Sequence, residues 1–364
     1  MSVRALTESD IPQVADLYWN YMRRREGSAP AALRELMREL LWSNPFIDGS
    51  PPSLVYAVDG RVVGFMSASL RRMSLNGEPI RVLFGGNLVV HPEFRSGLAV
   101  PRLLETFLKS DFDLSITDSA NDISKKILVR MGHTLIPALN IHWSRPLQPT
   151  RYAVYTMSPR SSKSMTWAGM RLATRPFCAV ADSMATRLSF SPFCQPKPRL
   201  QGADLDIPTL VWCREEFRKG YSVWPDYDER RLEWILSFMQ RIPSRGMLRK
   251  IVLRDEKQKV VGWYIYYVKP GSVGEVVQVG GAPKLTKDIL DHLFYDAWRQ
   301  GVIALHGTVD SRRMPDFSDK GCVFTCRGGW TVVAVRKPGL LELLERGDWF
   351  FSRLDGEWAL DPGE

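Results

Sequence analysis

The sequence predicts an α/β fold with two domains, each a mixed, mostly antiparallel sheet flanked by helices. The 364 residues are 45% hydrophobic and 24% charged, which is typical of a globular chain with room for two cores. The same order of predicted elements, two helices, several strands and a strand-turn-helix unit, occurs in 1–147 and again in 204–364. Between them, 148–203 is rich in Ser, Pro and Arg and is predicted to be a basic linker that contains a helix.

The first half begins with a short strand and a helix whose apolar residues recur at helical spacing. Two turns then predict hairpins, because Asp59-Gly60 and Asn76-Gly77 each lie between runs of apolar residues typical of strands. The other elements are expected in this order: a helix at 31–42 before the hairpins, then a strand at 79–90, a helix after Gly97, a strand at 114–119, a helix at 122–131 and a closing strand pair within 133–147.

The second half repeats this order in a degenerate form, with helices near 205–219 and 227–241 ahead of its strands. Its turn from strand to helix, 282–286, has no Arg and contains Pro283, which lacks an N–H to donate. We therefore predict that this half shapes or supports a site in the first half. The loop 221–227 either forms a wall of that site or packs Trp224 into the core.

Composition argues against several classes of protein. The N-terminus has no apolar segment of the kind found in signal peptides, and no run approaches the ~20 apolar residues of a membrane span. The five cysteines are unpaired in spacing, which favours reduced, buried thiols over a disulfide framework or a metal site. We therefore expect a cytoplasmic protein without a membrane span.

The positive charge is concentrated in the middle of the chain. The net charge is +9, and residues 151–200 contain eight basic residues against one acidic residue, Asp182. The stretch 163–190 also contains Met, Trp and Phe among its Arg residues, a pattern that suits an anionic membrane or nucleic acid. The alternative is a linker helix packed between the two halves, with its Arg side chains in solvent.

The stretch 88–101 is the strongest candidate for chemistry. A strand runs directly into a short turn that contains Gly97 and then into a helix, which points backbone N–H groups and a helix N-terminus at one spot. Arg95 adds a fixed positive charge beside that spot. This arrangement indicates an anion site suited to a pyrophosphate.

The V-x-P-x-x-R sequence at 90–95, the D-S-x-N-D segment at 118–122 and the following Met131-Gly132 resemble the GNAT acetyltransferase superfamily over nearly all of 2–147. The resemblance implies that acetyl-CoA, or another acyl-CoA, is the co-substrate and that no metal is needed. It also implies a set of ligand-facing residues, as follows. Leu88, Val89 and Val90 would line the pantetheine arm, the amides of Arg95, Ser96, Gly97, Leu98, Ala99 and Val100 would hold the pyrophosphate, and Asn121 and Ser124 would face the CoA.

Two positions depart from the family pattern. The turn after Arg95 matches best with one residue fewer, which places Gly97 and Ala99 at the positions of its small residues. Leu128 stands where many members have the Tyr that protonates the departing thiolate. Asn121 is equally well explained as a helix cap.

The candidates for the general base are Asp118, at the end of a strand, and Asn87, which could orient a water. With them the resemblance implies an N-acyltransferase that acylates an amine of a small molecule or sugar. Amino sugars, nucleotide-linked sugars, amino acids and polyamines all stay open as acceptors. Two alternatives also stay open: a Fem-like aminoacyl transferase that uses charged tRNA, and a non-catalytic GNAT-like binding module.

Overall fold

The computed structural model describes residues 2–46, 52–157, 165–188, 190–326 and 329–362, with the side chains of 165–175 left out. The strands are β1 Ser2–Ala5, β2 Leu54–Val58, β3 Arg61–Leu75, β4 Glu78–Val90, β5 Leu114–Ala120, β6 Thr134–Leu135, β7 His142–Pro146, β8 Gln201–Asp204, β9 Val223–Pro225, β10 Met247–Arg254, β11 Val260–Val268, β12 Val273–Gly281, β13 Ala304–Thr308, β14 Val323–Thr325 and β15 Trp330–Val335.

The α-helices surround two sheets that these strands form. They are α1 Ile11–Leu17, α2 Ala31–Trp42, α3 Ala99–Leu108, α4 Asp122–Arg130, α5 Pro149–Met157, α6 Met165–Arg187, α7 Ile207–Glu216, α8 Glu229–Gln240, α9 Thr286–Arg299, α10 Met314–Asp319, α11 Leu340–Glu345 and α12 Glu357–Leu360. A π-helical turn, Tyr18–Met22, extends α1. The predicted fold class, α/β with mixed and mostly antiparallel sheets, is confirmed.

The two sheets repeat one pattern of strand pairing. In the first, β1, β2, β3 and β4 are antiparallel neighbours, and β4 then pairs with β5 in parallel. In the second, β8, β10, β11 and β12 are antiparallel neighbours, and β12 pairs with β13 in parallel. The repeated element order seen in the sequence is therefore matched by a repeated sheet topology.

The ends of the two halves are exchanged between the sheets. Strand β15, from the second half, pairs with β5 and β6 of the first sheet, whereas β7 pairs with β13 and β14 of the second. The sequence-based expectation that β7 closes the first half is wrong for this strand. Trp143 gives the physical reason, because its fully buried ring packs between Phe294 and Phe317 and its Nε1 donates to Thr308 O at 3.0 Å. The division at 147 and 203 itself stays a prediction.

The two hairpin turns form as their residues predict. Asp59 and Gly60 have φ of 51° and 80°, and Asn76 and Gly77 have φ of 53° and 91°. Asn, Asp and Gly tolerate this left-handed region, which joins antiparallel strands without splaying them. These turns set the register of β2, β3 and β4, and thereby the position of the site described below.

The second half of α6 exposes an apolar row. Phe177, Val180 and Met184 are 78%, 63% and 58% exposed and recur at helical spacing. Within the described chain, no helix is both long and apolar enough to cross a membrane. Of the predicted basic contact at 163–190, residues 163, 164 and 189 lie outside the described residues.

Trp224 lies in the core. It is 2% exposed and stacks on Phe350 with ring centroids 4.4 Å apart, while its strand β9 pairs with β3. Of the two interpretations of the loop 221–227, core packing therefore holds for Trp224.

Candidate functional site

A cleft opens where β4 leaves β5. The two strands pair only at Val82–Leu114, Leu83–Ser115 and Phe84–Ile116, whereas β4 continues along β3 as far as Val90. The register of β3 and β4 shifts between Phe65 and Ser67 because β4 has one extra residue there, and Asn87 within this bulge has φ 48°. The bulge bends β4 away from β5 and leaves one edge of 85–90 without a partner strand.

This β4–β5 cleft contains several of the predicted site residues. It encloses about 480 Å³, including its open mouth, which is within the range of ligand sites. Leu88 and Asn87 line it from β4, and Asn121 and Ser124 line it from α4. Leu128 also lines it, so the position where many GNAT members have a Tyr is an apolar part of the wall.

Val89 and Val90 can contact a ligand only through their main chain, and Asn121 also caps a helix. Val89 and Val90 are 4% and 3% exposed, with side chains in the core, so only their backbone can meet a ligand. Asn121 is the N-cap of α4, since its Oδ1 accepts from Ile123 N at 3.0 Å and from Ser124 N at 2.9 Å. Capping and a place in the cleft wall are therefore compatible.

The turn between β4 and α3 has its cation fixed in place. Arg95 Nε donates to Val90 O at 2.8 Å, which anchors the guanidinium at the end of β4. Gly97 has no positive φ, and a Cβ there would lie 3.6 Å from Phe94 O, an ordinary contact. Ser96 and Leu98 are exposed. The first-turn amides of α3, at Ala99 and Val100, have no acceptor within the helix. The fold does not require a glycine at 97, so the absence of a side chain leaves room there for a ligand.

A second, larger cavity lies on the other side of the bulge. We call it the apolar cavity; it encloses about 900 Å³ including its mouth. Its wall comes from α2, β3, β4 and the C-terminal α12. The residues are Leu6, Leu40, Leu41, Trp42, Asn44, Phe46, Pro52, Ser53, Ser67, Ala68, Ser69, Arg71, Phe84, Gly86, Asn87, Glu357 and Leu360.

Glu357 joins the two spaces. Gly86, Asn87 and Glu357 line both the β4–β5 cleft and the apolar cavity. Glu357 Oε2 accepts from Ser119 Oγ at 2.5 Å, and a Cβ on Gly86 would lie only 2.5 Å from the same oxygen. Glu357 Oε1 is buried without a hydrogen-bond partner. A carboxyl group therefore lies in the wall that the two cavities share, and one of its oxygens has no hydrogen-bond partner.

Asp118 fixes the main chain at Glu357. Its Oδ1 and Oδ2 accept from Glu357 N at 2.9 and 3.1 Å. Burial raises the pKa of Glu357 well above its ordinary range, and the adjacent Asp118 carboxylate raises it further. Burial also raises the pKa of Asp118. The two acids thus form a pair that retains protons at a higher pH than isolated carboxyl groups.

A buried polar network fixes the turn that carries Glu357. Arg71, 3% exposed, donates to Asp355 O and to Gly356 O, and its guanidinium lies between the rings of Phe46 and Phe84. Asp355 is fully buried; its Oδ2 accepts from Ser352 N and Oγ, and its Oδ1 lies 3.4 Å from Arg214 Nη2.

The second half supplies the rest of that network. Strands β12 and β13 part after Glu275–His306, as β4 and β5 part after Phe84–Ile116. Here Gly280 makes room for Trp263, because a Cβ would lie 2.3 Å from the indole. Trp263 Nε1 donates to Gln278 Oε1 at 2.9 Å, and Gln278 Nε2 donates to Ser352 Oγ at 3.0 Å. The second opening is therefore partly filled by the protein itself, and its hydrogen bonds lead to the Glu357 turn.

Glu357 was missed by sequence reasoning. It follows Asp118 by 239 residues and belongs to no motif, so no local signal points to it. Among the predicted residues, the fold brings Asn87 and Asp118 to Glu357. Arg95 to Leu98 lie in the turn after β4, and Ala99 and Val100 begin α3.

Several solved structures have a similar fold, and the following three are acyltransferases or a probable acyltransferase. A probable N-acyltransferase of unknown function from Enterococcus faecalis has a TM-score of 0.61 at 11% identity, over 92% of this chain and 73% of that one. Saccharomyces cerevisiae N-myristoyltransferase with bound myristoyl-CoA has 0.56 at 10%, over 92% and 78%. A GCN5-related N-acetyltransferase from Anabaena variabilis has 0.57 at 11%, over 92% and 72%.

These likenesses confirm the GNAT-type fold predicted from 2–147, and they extend it over nearly the whole chain. No protein-family model and no curated protein sequence matches the chain. At 10–11% identity the resemblance concerns the fold alone, so chemistry has to be argued from the site.

Proposed function

We propose that the protein is an acyl-CoA-dependent N-acyltransferase in the cytoplasm, with acetyl-CoA as the simplest donor. The single observation that carries this proposal is Glu357, a carboxyl group of raised pKa between the β4–β5 cleft and the apolar cavity. Donor and acceptor would enter from these two sides and meet at Gly86 and Asn87. The neighbours' activities support an acyl group as the transferred unit.

The donor side follows the resemblance. The pantetheine would lie along Leu88 to Val90, and the pyrophosphate would lie on the turn from Arg95 to Val100, where first-turn amides and a fixed guanidinium favour an anion. Those amides of 88–90 that point away from β3 have no partner on β5 and are available to the thioester oxygen.

The reaction would be direct transfer. The neutral amine attacks the thioester carbon, a C–N bond forms and the C–S bond breaks, which leaves an amide and the CoA thiolate. Glu357 takes the proton that the amine loses, and the thiolate is protonated through solvent. A base works best when its pKa lies near the working pH, which the enclosed pair with Asp118 favours. Asp118 positions Glu357 through its main-chain N–H.

The test is CoA release and amide formation from acetyl-CoA and a primary amine such as 2-phenylethylamine, measured with a thiol reagent and mass spectrometry. Glu357→Gln should lower kcat by about 10²–10⁴-fold, the range typical of a lost general base. Glu345→Gln, on an exposed position of α11, is the matched control and should leave kcat unchanged. Full activity of Glu357→Gln would refute the role of this residue.

A further inference from the structure

We infer that the acceptor is a primary amine carried on an apolar body, aromatic or branched aliphatic, which occupies the apolar cavity. This inference rests on the proposed function and narrows its acceptor class. More than half of the cavity wall is apolar. Nine of the 17 lining residues are apolar, among them Leu40, Trp42, Phe46, Phe84 and Leu360. A cavity with such a wall gains free energy chiefly by removing apolar surface from water.

The charges of the wall suit an acceptor with a single amine. Among the described residues of the wall, only Arg71 and Glu357 are ionisable. Arg71 is committed, since it donates to Asp355 O and Gly356 O and lies between two aromatic rings. Glu357 is therefore the one charge left to meet a ligand, and its uncommitted Oε1 suits a single amine. A polyamine would need further carboxylates, and a nucleotide diphosphate would need further cations.

Hydrogen bonds within the protein already occupy some polar side chains of the wall. Asn44 is committed to Leu40 O and Phe46 N, and Ser53 Oγ accepts from Ala68 N at 3.1 Å. A sugar would bring several hydroxyl groups to this wall, where Ser69 Oγ is buried without a partner and could bond one of them. Each further hydroxyl group buried without a partner would weaken binding. The cavity therefore suits an acceptor with few polar groups better than it suits an amino sugar.

The experiment compares kcat/KM for 2-phenylethylamine and 3-methylbutylamine with that for spermidine and glucosamine, with acetyl-CoA as donor. We expect the apolar amines to be favoured about 50-fold or more, which corresponds to roughly 100 Å² of buried apolar surface. Trp42→Ala removes an aromatic wall residue that is 45% exposed, so folding should survive. It should raise KM for 2-phenylethylamine about 10-fold and leave KM for acetyl-CoA unchanged. Trp212→Ala, at 47% exposure and outside the cavity, should change neither.

Three outcomes separate this inference from the proposed function. Equal use of all four amines, with Glu357→Gln still inactive, would overturn the inference and leave the function intact. A KM effect of Trp42→Ala on octanoyl-CoA rather than on the amine would also overturn it, because the cavity would then hold the acyl chain. Calorimetric binding of 2-phenylethylamine that Trp42→Ala weakens, without any turnover, would overturn the function and the amine's role as acceptor, while confirming that the apolar cavity binds an apolar amine.

Discussion

Asp355→Asn perturbs the site from outside both cavities. Asp355 is fully buried, lines neither the β4–β5 cleft nor the apolar cavity, and is two residues before Glu357. Asparagine keeps its size and removes its charge, which leaves Arg214, 2% exposed, without its acidic partner. Arg214 Nη2 also donates to Pro225 O at 3.2 Å, but this neutral acceptor does not replace the charge of Asp355, and Nε and Nη1 have no hydrogen-bond partner.

The expected magnitude follows from that burial. Removing one partner of a buried ion pair costs about 3–5 kcal/mol, because the remaining charge stays out of water. We expect the free energy of unfolding in urea to fall by this amount and kcat to fall about 10-fold, while KM for acetyl-CoA stays unchanged. The double variant Arg214→Met, Asp355→Asn should recover at least 1 kcal/mol relative to Asp355→Asn, since no unpaired charge remains.

A loss below about 1 kcal/mol in the Asp355→Asn variant, or strictly additive effects in the double variant, would refute this account of the network. A change confined to KM for acetyl-CoA would refute the inference that the network acts by positioning Glu357. These two readouts separate a role in folding from a role at the site.

Three further predictions concern other parts of the chain. Burial raises the folded-state pKa of Glu357, so the folded state retains a proton that the unfolded chain loses. The free energy of unfolding of the wild type should therefore fall relative to that of Glu357→Gln as pH rises above the ordinary glutamate range. A constant difference between the two proteins in urea titrations at pH 4 to 9 would contradict this. Asn87 has φ 48°, a conformation that Gly tolerates and Ala does not, so Asn87→Gly should keep the bulge and Asn87→Ala should lower the free energy of unfolding by about 1 kcal/mol. Equal melting temperatures of the two variants would disprove backbone strain at this position. If the exposed row of α6 contacts an anionic membrane, which is one of the two contacts that the sequence suggests, Phe177→Asp with Met184→Asp should weaken binding to phosphatidylglycerol vesicles. Salt-sensitive tRNA binding in place of vesicle binding would overturn this interpretation of α6.

Local chemistry explains what the sequence could predict. Asp59-Gly60 and Asn76-Gly77 determine their turns by their own backbone preferences, and Asn121 caps α4 through bonds to residues two and three positions on. The strand-turn-helix unit at 88–101 is likewise a contiguous pattern. Together with the resemblance of 90–95 and 118–122 to the GNAT superfamily, these features predicted the GNAT-type fold.

Non-local packing explains what was missed. The position of β7 depends on Trp143 fitting between Phe294 and Phe317, and no pattern near Trp143 encodes those partners. Glu357 reaches the cleft only because the last residues of the chain return to Ser119 and Asp118. The apolar cavity combines α2, β3 and α12 in the same way, so its character could not be read from any one segment.

We propose that an acyl-CoA binds in the β4–β5 cleft with its pyrophosphate on the turn after β4. Calorimetric titration of acetyl-CoA into the wild type and into Gly97→Val tests it most directly, because a Cβ at 97 makes only an ordinary contact and the fold should be unchanged. We expect micromolar binding by the wild type and at least a 10-fold weaker Kd in the variant, at equal melting temperatures. Absence of binding at millimolar acetyl-CoA, or equal affinity in both proteins, would contradict it.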